Sequence, residues 1–166
     1  YVIGTPIGNM GDISLRALHI LGLVDAVACE DTRVTRNLLS FYGLSKELIS
    51  AHQHNEREIA AKLIDRLRNG DRIALVSDAG TPAVSDPGAK IVDTVRQSGL
   101  NVIPIPGPSA AITALSASGF PDKHFLFVGF LPTRAVQRRE FLLNLKNVNA
   151  TLVIYEAPHR IRETLK

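Results

Sequence analysis

The sequence predicts an α/β fold with a mostly parallel sheet flanked by helices. Short apolar runs alternate with stretches in which apolar residues recur at helical spacing, and this order is typical of β-α units. Residues 73–76 form an uninterrupted apolar run, which indicates a strand buried on both faces of a sheet. We therefore expect residues 1–120 to form one α/β domain and residues 121–166 to begin a second, incomplete α/β domain.

The first half of the chain contains four apolar runs that predict strands, each followed by a predicted helix. Gly22 and Gly70 are expected to end the first and third of these helices. Asp31 or Thr32 is expected to cap the second helix, and Asn55 the third. The four predicted strands are residues 1–4, 25–30, 48–50 and 73–76.

The second half continues the alternation. A helix after residue 88 carries Ile91, Val92 and Val95 and is expected to stop at Gly99. The remaining predicted segments are a strand at 101–105, a helix of small residues ending at 117, a linker at 118–122, strands at 125–130 and 151–155 with a basic helix at 134–146 between them, and the start of a final helix after 156.

Composition and charge place few limits on function. The net charge of +3 permits an anionic partner such as nucleic acid without requiring one. No apolar run approaches the roughly 20 residues of a membrane helix, and no signal-peptide pattern precedes the first strand, so we expect a cytoplasmic protein without a membrane anchor. The single Cys29 fits a reducing compartment. The chain begins in a strand and ends in a predicted helix, which is typical of a piece of a longer protein.

Three predicted strands end in loops of small residues, prolines and glycines: residues 5–12, 77–88 and 106–109. Loops at the carboxyl ends of parallel strands emerge along one edge of the sheet, where open α/β folds bind their ligands. Small side chains let a ligand approach the backbone, and prolines hold a loop in shape without it. We therefore expect these three loops to converge on a ligand site. The alternative is that they are ordinary strand-to-helix connections.

Two further patterns suggest ligands only weakly. Gly4, Gly8 and Gly11 do not have the spacing of a dinucleotide-binding fingerprint, although Glu30 lies near the position of a ribose-binding acid. Glu30 and Asp31 could equally be the cap of the following helix instead of part of a nucleotide site. His52 and His54 lack further ligands at suitable spacing, so no metal site is expected.

Seven segments in order along the chain are similar to the motifs of a known family. They are residues 5–9, 30–33, 54–57, 77–82, 85–88, 106–109 and 155–160. Together they resemble the tetrapyrrole-methylase superfamily, in particular its ribosomal RNA-modifying branch. The resemblance implies S-adenosylmethionine as methyl donor and the ribose 2′-hydroxyl of a cytidine in 16S ribosomal RNA of the small subunit as acceptor. It also implies two α/β domains with the cofactor in the cleft between them, a homodimer, and full-length members that extend past residue 166.

The resemblance also implies which residues bind the cofactor. By position they are Ile7, Ala79, Gly80, Thr81, Val84, Ser109 and Ala110 in the three loops, with Tyr155 and Glu156 from the second domain. Many tetrapyrrole methylases have Gly-Asp-Pro where this chain has Gly80-Thr81-Pro82, and the change argues against a porphyrinoid substrate.

Residue roles beyond the cofactor are less defined by the sequence. Asp31, Asp78 and Glu156 each follow a predicted strand and are candidates for a general base, among which the sequence does not choose. The arginines expected to contact RNA phosphates on both sides of the cleft are Arg33, Arg36, Arg134, Arg138 and Arg139. The alternative functions are a methyltransferase acting on a tetrapyrrole and a non-catalytic nucleotide-binding module.

Overall fold

The computed structural model describes residues 1–53 and 55–165. It divides into two compact units, Tyr1–Ser109 and Ala110–Lys166. The helix that starts at Ala110 groups with the second unit, whereas the sequence suggested a boundary near residue 120. The domain boundary of the whole protein stays a prediction.

The first unit contains a five-stranded sheet in the order β3-β2-β4-β1-β5. All of its strand pairs are parallel, which confirms the predicted fold class. Its strands are β1 (Val2–Ile3), β2 (Ala26–Cys29), β3 (Glu47–Ser50), β4 (Ile73–Val76) and β5 (Pro104–Ile105).

Helices cover both faces of this sheet because the central strands are apolar at consecutive positions. Val76 and Ala74 pack into one buried cluster, and Ile73 and Leu75 pack into another on the opposite face. The first cluster includes residues of α1 (Leu15–Leu23) and α2 (Thr32–Phe41), and the second includes residues of α3 (Glu56–Arg68) and α4 (Ala89–Gln97).

Two predicted helix boundaries are wrong in detail. α1 continues through Gly22 to Leu23, because the chain keeps helical geometry until Val24 closes it with a bond to Ile20. Asn55 occupies the cap position of α3 without capping it. Its side chain instead accepts from the His52 N–H and donates to the Ser50 carbonyl, so it ties the loop to β3. The predicted cap at Asp31 is confirmed, since its carboxylate accepts from the Arg33 N–H.

The strand order determines which loops are neighbours. β1 lies between β4 and β5, so the segments that follow these three strands leave adjacent positions on one edge of the sheet. The sequence predicted that these segments share an edge but could not predict the strand order.

The second unit contains a parallel pair of strands, β6 (Phe125–Phe130) and β7 (Thr151–Tyr155), at the predicted positions. The register shifts between Phe127 and Gly129, and Gly129 adopts a positive φ of 75°. Its helices are α5 (Ala110–Ser118), α6 (Ala135–Leu145) and the short α7 (Ile161–Thr164). Among the helices described here, none is long and apolar enough to cross a bilayer.

Candidate functional site

The loops after β1 and β4 are bonded to each other through Thr5. The Thr5 N–H donates to the Gly80 carbonyl at 2.9 Å, and the Gly80 N–H donates to the Thr5 carbonyl at 3.1 Å. The Thr5 hydroxyl also donates to the Ser77 carbonyl at 3.1 Å, and this side chain is fully buried. Thr5 therefore fixes the start of the β4 loop. The sequence placed Thr5 in the motif segment 5–9 but did not indicate that it joins the two loops.

The loops after β1 and β5 approach each other through two glycines. A Cβ placed on Gly107 would lie 2.8 Å from the Gly4 carbonyl oxygen and 2.9 Å from its Cα. Real Cβ atoms do not approach backbone atoms this closely, so both positions require glycine. The close contact brings the two loop backbones together at the edge of the sheet.

The β4 and β5 loops are also joined directly. The Thr81 hydroxyl donates to the Pro108 carbonyl at 3.2 Å. A Cβ on Gly80 would lie 3.5 Å from Ile7 Cγ2 and 3.9 Å from the Pro108 oxygen. The predicted convergence of the three loops is thus confirmed, and Ile7, Gly80 and Thr81 lie at their meeting point.

The remaining cofactor candidates of this unit lie on the same loops. Ala79 is exposed immediately before Gly80, Val84 is 42% exposed farther along the β4 loop, and Ser109 directly follows Pro108. Contact of these residues with a cofactor stays a prediction.

Four carboxyl groups lie along the ends of β2 and β4. The Asp31 N–H donates to an Asp78 carboxylate oxygen at 3.1 Å, which joins the two strand ends. Burial, followed by the charges of Asp78 and Asp86, raises the pKa of Glu30. Burial also raises the pKa of Asp86, and the Asp78 charge adds to this shift. This edge of the sheet is therefore acidic. The cap of α2 is Asp31 and not Glu30, because the Asp31 carboxylate accepts from the Arg33 N–H.

Asp31 is held by Arg33, one of the arginines predicted to contact RNA. Arg33 Nη2 lies 2.6 Å from Asp31 Oδ2, and the hydrogen bonds from the Arg33 side chain and backbone lower the pKa of Asp31 to about 2. Because its pKa is lowered from the ordinary value of 3.8, the charged Asp31 carboxylate stabilises the folded state fully above about pH 3.8. This contribution is lost as the pH falls through about 2.

We expect Arg33→Ala to raise the pKa of Asp31 towards its ordinary value. The rise will be incomplete because the backbone N–H of residue 33 still donates to the carboxylate. Carboxyl chemical shifts followed by NMR during an acid titration measure it, with Arg36→Ala as the control that leaves Asp31 unchanged. An unaltered pKa in Arg33→Ala would show that the guanidinium is not bound to Asp31 in solution.

The second unit has a cavity of about 390 Å³ that contains its three predicted cofactor residues. Ala110, Tyr155 and Glu156 line it together with Ala111 and Phe130. The Tyr155 hydroxyl accepts from the Ala111 N–H at 3.3 Å. The Tyr155 ring packs edge-on against Phe130, at a centroid distance of 5.6 Å. The structure thus brings these predicted residues to one cavity, and their role stays a prediction.

The Glu156 carboxylate is bonded within its own unit. It accepts from the Thr164 hydroxyl at 2.6 Å and from the Ala157 N–H at 2.8 Å, and it lies 3.3 Å from Arg160 Nε. The Thr164 hydrogen bond is the main reason that the pKa of Glu156 is lowered. A carboxylate with these partners is a poor general base, so its bonds favour a structural role at the start of the final helix.

The five predicted RNA-contacting arginines differ in their surroundings. Arg36, Arg134 and Arg139 are exposed. Arg138 is only 5% exposed, and its guanidinium lies 2.6 Å from a Glu163 carboxylate oxygen while also donating to the Thr133 carbonyl. Arg138 therefore does not present its charge at the surface of this unit, because Glu163, distant in sequence, pairs with it.

Metal ligands are not grouped in the part of the chain that the structure describes. No set of three His, Cys, Asp or Glu side chains lies close enough there to hold an ion. His54, one of the two histidines considered for a metal, lies outside the described residues.

The sequence of the chain is similar to those of known proteins. The model of the family described as Tetrapyrrole (Corrin/Porphyrin) Methylases matches residues 1–166. The chain is 51% identical over 166 residues to Ribosomal RNA small subunit methyltransferase I of Vibrio cholerae, and 48% identical over 166 residues to the protein of that name from Escherichia coli O157:H7. In both cases the match covers 100% of this chain but 58% of the relative, so the chain spans less than two thirds of their length.

Solved structures agree on the fold. A diphthine synthase superimposes with a TM-score of 0.71 over 94% of this chain and 64% of its own, at 19% identity. The uroporphyrin-III-C-methyltransferase of Thermus thermophilus superimposes with a TM-score of 0.59 and is 25% identical. The match covers 78% of this chain and 59% of the methyltransferase chain. With the family model matching its whole length, the chain belongs to the tetrapyrrole (corrin/porphyrin) methylase family.

Proposed function

We propose that the chain is part of an S-adenosylmethionine-dependent methyltransferase that modifies ribosomal RNA of the small subunit, at the 2′-hydroxyl of a cytidine in 16S RNA. The observation that carries the proposal is the convergence of three small-residue loops at the carboxyl edge of the sheet. The relatives named above, at 48–51% identity, favour ribosomal RNA as the substrate.

The residues at the meeting point fit a methyl donor. Gly80 and Gly107 let the loops approach closely, because a Cβ on Gly107 would clash with Gly4 and a Cβ on Gly80 would contact Ile7. Ile7 supplies an apolar surface beside Gly80, and the hydroxyl of Thr81 is fixed by its bond to Pro108. When bound, S-adenosylmethionine supplies an electrophilic methyl group, and rigid loops that hold it in line with an acceptor can account for much of the rate enhancement.

A hydroxyl acceptor must also lose its proton. Asp31 is a weak base because its pKa is about 2, and Glu156 is engaged by Thr164 and its neighbours. This leaves Asp78, which is exposed at the carboxyl end of β4, as the candidate among the three carboxylates to accept that proton.

A methyl-transfer assay tests the proposal directly. Full-length protein is incubated with methyl-labelled S-adenosylmethionine and one of three acceptors: small ribosomal subunits, free 16S RNA or a porphyrinoid. We expect label in the RNA, resistant to alkali at one cytidine because a 2′-O-methyl group blocks attack on the adjacent phosphodiester. Label in the porphyrinoid alone would favour the tetrapyrrole alternative, and binding without any transfer would favour a non-catalytic module.

Exposed arginines provide a separate prediction for RNA binding. Arg36→Ala and Arg139→Ala should each reduce the slope of log affinity against log salt by roughly 0.7 to 0.9 if each side chain contacts one phosphate. Arg68→Ala is the control, because Arg68 is exposed at the end of α3 where the helix has left the ligand edge. Replacing Arg138 would break its ion pair with Glu163 and would not isolate an RNA contact.

Equal salt slopes in Arg36→Ala, Arg139→Ala and the wild type would show that these arginines are solvated surface. The homodimer implied by the resemblance and the cytoplasmic location expected from the sequence stay predictions. The oligomeric state of the full-length protein can be measured by light scattering.

A further inference from the structure

Glu56, the first residue of α3, is a buried carboxylate. It is 6% exposed, although glutamate is rarely buried unless it is paired. Its Oε1 accepts from the Gly88 N–H at 2.6 Å, and its Oε2 lies 3.6 Å from Lys90 Nζ. The Lys90 side chain is 68% exposed, so the short bond to the Gly88 backbone is the closer and better shielded of the two contacts.

The bond is made at the far end of the β4 loop. Gly88 is the residue at which the loop, residues 77–88, enters α4. Gly88 has a φ of +119°, and a Cβ there would lie 3.0 Å from Leu75 Cδ2, so the chain passes this point in a conformation that suits only glycine. Glu56 thus holds a backbone position that the loop must reach in one particular geometry.

The middle of the same loop is strained. Ala83 and Ser85 both have positive φ, of 67° and 61°, in the left-handed region that residues with a side chain rarely adopt. Such conformations persist only where the surroundings enforce them, and they concentrate at ligand sites. The backbone bonds near them are long: Ala83 to Pro87 at 3.3 Å and Val84 to Thr81 at 3.4 Å.

The loop is therefore fixed at both ends. Thr5 holds its beginning through Gly80, and Glu56 holds its end through Gly88. Thr81, at the meeting point of the three loops, and Val84 lie between the two anchors. Release of either anchor would let Ala83 and Ser85 relax to negative φ and would displace the residues between them.

We propose that Glu56 is a positioning residue for methyl-donor binding, which it supports by anchoring the strained β4 loop at Gly88. This inference rests on the proposed function. The competing explanation is that Glu56 only joins α3 to α4. The two explanations differ in donor affinity, because a purely structural link between the helices would leave the donor affinity of a folded variant unchanged.

The experiment uses full-length protein and compares Glu56→Gln, Glu56→Asp, Glu56→Leu and Lys90→Met. The glutamine keeps an oxygen that can accept from the Gly88 N–H. The aspartate keeps the charge but is one methylene too short, and the leucine removes the acceptor. Lys90→Met removes the ion pair alone. Calorimetry measures S-adenosylmethionine affinity, and amide exchange followed by NMR measures protection of the Gly88 N–H.

We expect Glu56→Asp and Glu56→Leu to weaken donor binding by roughly tenfold to a hundredfold, the loss that follows from removing a hydrogen bond to a charged group. Both should lose protection at Gly88, whereas RNA affinity measured without donor should not change. The donor affinity of Glu56→Gln should stay within about threefold of the wild type, because the amide oxygen can still accept from the Gly88 N–H. The small loss is expected because a hydrogen bond to a neutral acceptor is weaker. Lys90→Met should bind the donor normally.

Wild-type donor affinity in folded Glu56→Asp or Glu56→Leu would overturn the inference. If Glu56→Leu does not fold, Glu56→Asp decides. Donor binding lost in Lys90→Met as strongly as in Glu56→Asp would also overturn it, because the ion pair between helices would then be responsible. A wild-type protein that does not bind S-adenosylmethionine would instead contradict the proposed function, so the two failures are distinguishable.

Discussion

Gly107→Ala is expected to lower the free energy of unfolding by about 2 kcal/mol, within the range typical of overpacking a close contact. The added methyl group would lie 2.8 Å from the Gly4 oxygen and 3.0 Å from the Gly4 carbonyl carbon. Gly4 cannot move aside easily, because it follows β1, which is bonded to β4 on one side and β5 on the other. The clash must therefore separate the β1 and β5 loops and should weaken donor binding as well.

Urea denaturation of the variant and the wild type measures this change. Gly22→Ala is the matched control, since it adds the same methyl group within α1 where nothing lies within 4 Å. Alanine is the better helix former, so the control should raise the free energy of unfolding by about 0.5 to 1 kcal/mol. If Gly107→Ala lowers the free energy of unfolding and Gly22→Ala raises it, the contact with Gly4 causes the destabilisation, and the loss of a glycine does not. An unaltered midpoint in Gly107→Ala would contradict the close approach of the two loops.

Gly80→Val is expected to weaken S-adenosylmethionine binding at least about tenfold, or by about 1.4 kcal/mol. Gly80 has a φ of +82°, and a β-branched residue is a true outlier in that region. The branched side chain would also extend from a Cβ only 3.5 Å from Ile7 Cγ2 and fill the space at the meeting point of the loops. Strain and occupied space therefore act in the same direction.

Gly70→Val separates these two causes. Gly70 also has a positive φ, of 97°, but a Cβ at this position would have no neighbouring atom within 4 Å, and Gly70 follows α3 away from the loops. We expect both variants to lose stability and only Gly80→Val to lose donor affinity in calorimetry. Normal affinity in folded Gly80→Val would place the donor elsewhere and would strengthen the nucleotide interpretation based on Glu30.

Much of the site was predictable because its signals are local. Alternating apolar runs and helical stripes predict a parallel sheet, and parallel strands present their following loops at one edge. The runs of glycine, proline and small residues after β1, β4 and β5 therefore indicated where a ligand would bind. These loops are among the seven segments that carry the family resemblance, and the residues predicted from it, Ile7, Gly80 and Thr81, lie together.

Pairings between distant residues were not predictable in this way. Arg138 looked like one more cation on a basic helix, yet Glu163 and the Thr133 carbonyl bind its guanidinium. Glu156 looked like a base or a cofactor contact, yet Thr164 and Arg160 surround its carboxylate. The charge of a side chain is visible in the sequence, but its partner depends on which elements pack together.

The sequence alone determined the fold class, the positions of most helices and strands, and the loops that form the candidate site, because these follow from the spacing of apolar residues and from the backbone preferences of glycine and proline. Three features are seen only in the folded chain: β1 lies between β4 and β5, Gly4 contacts Gly107, and the Glu56 carboxylate binds the Gly88 N–H. These contacts join residues far apart in the chain, and their geometry is set by which strands pair and by how the helices pack on the sheet, not by any local pattern.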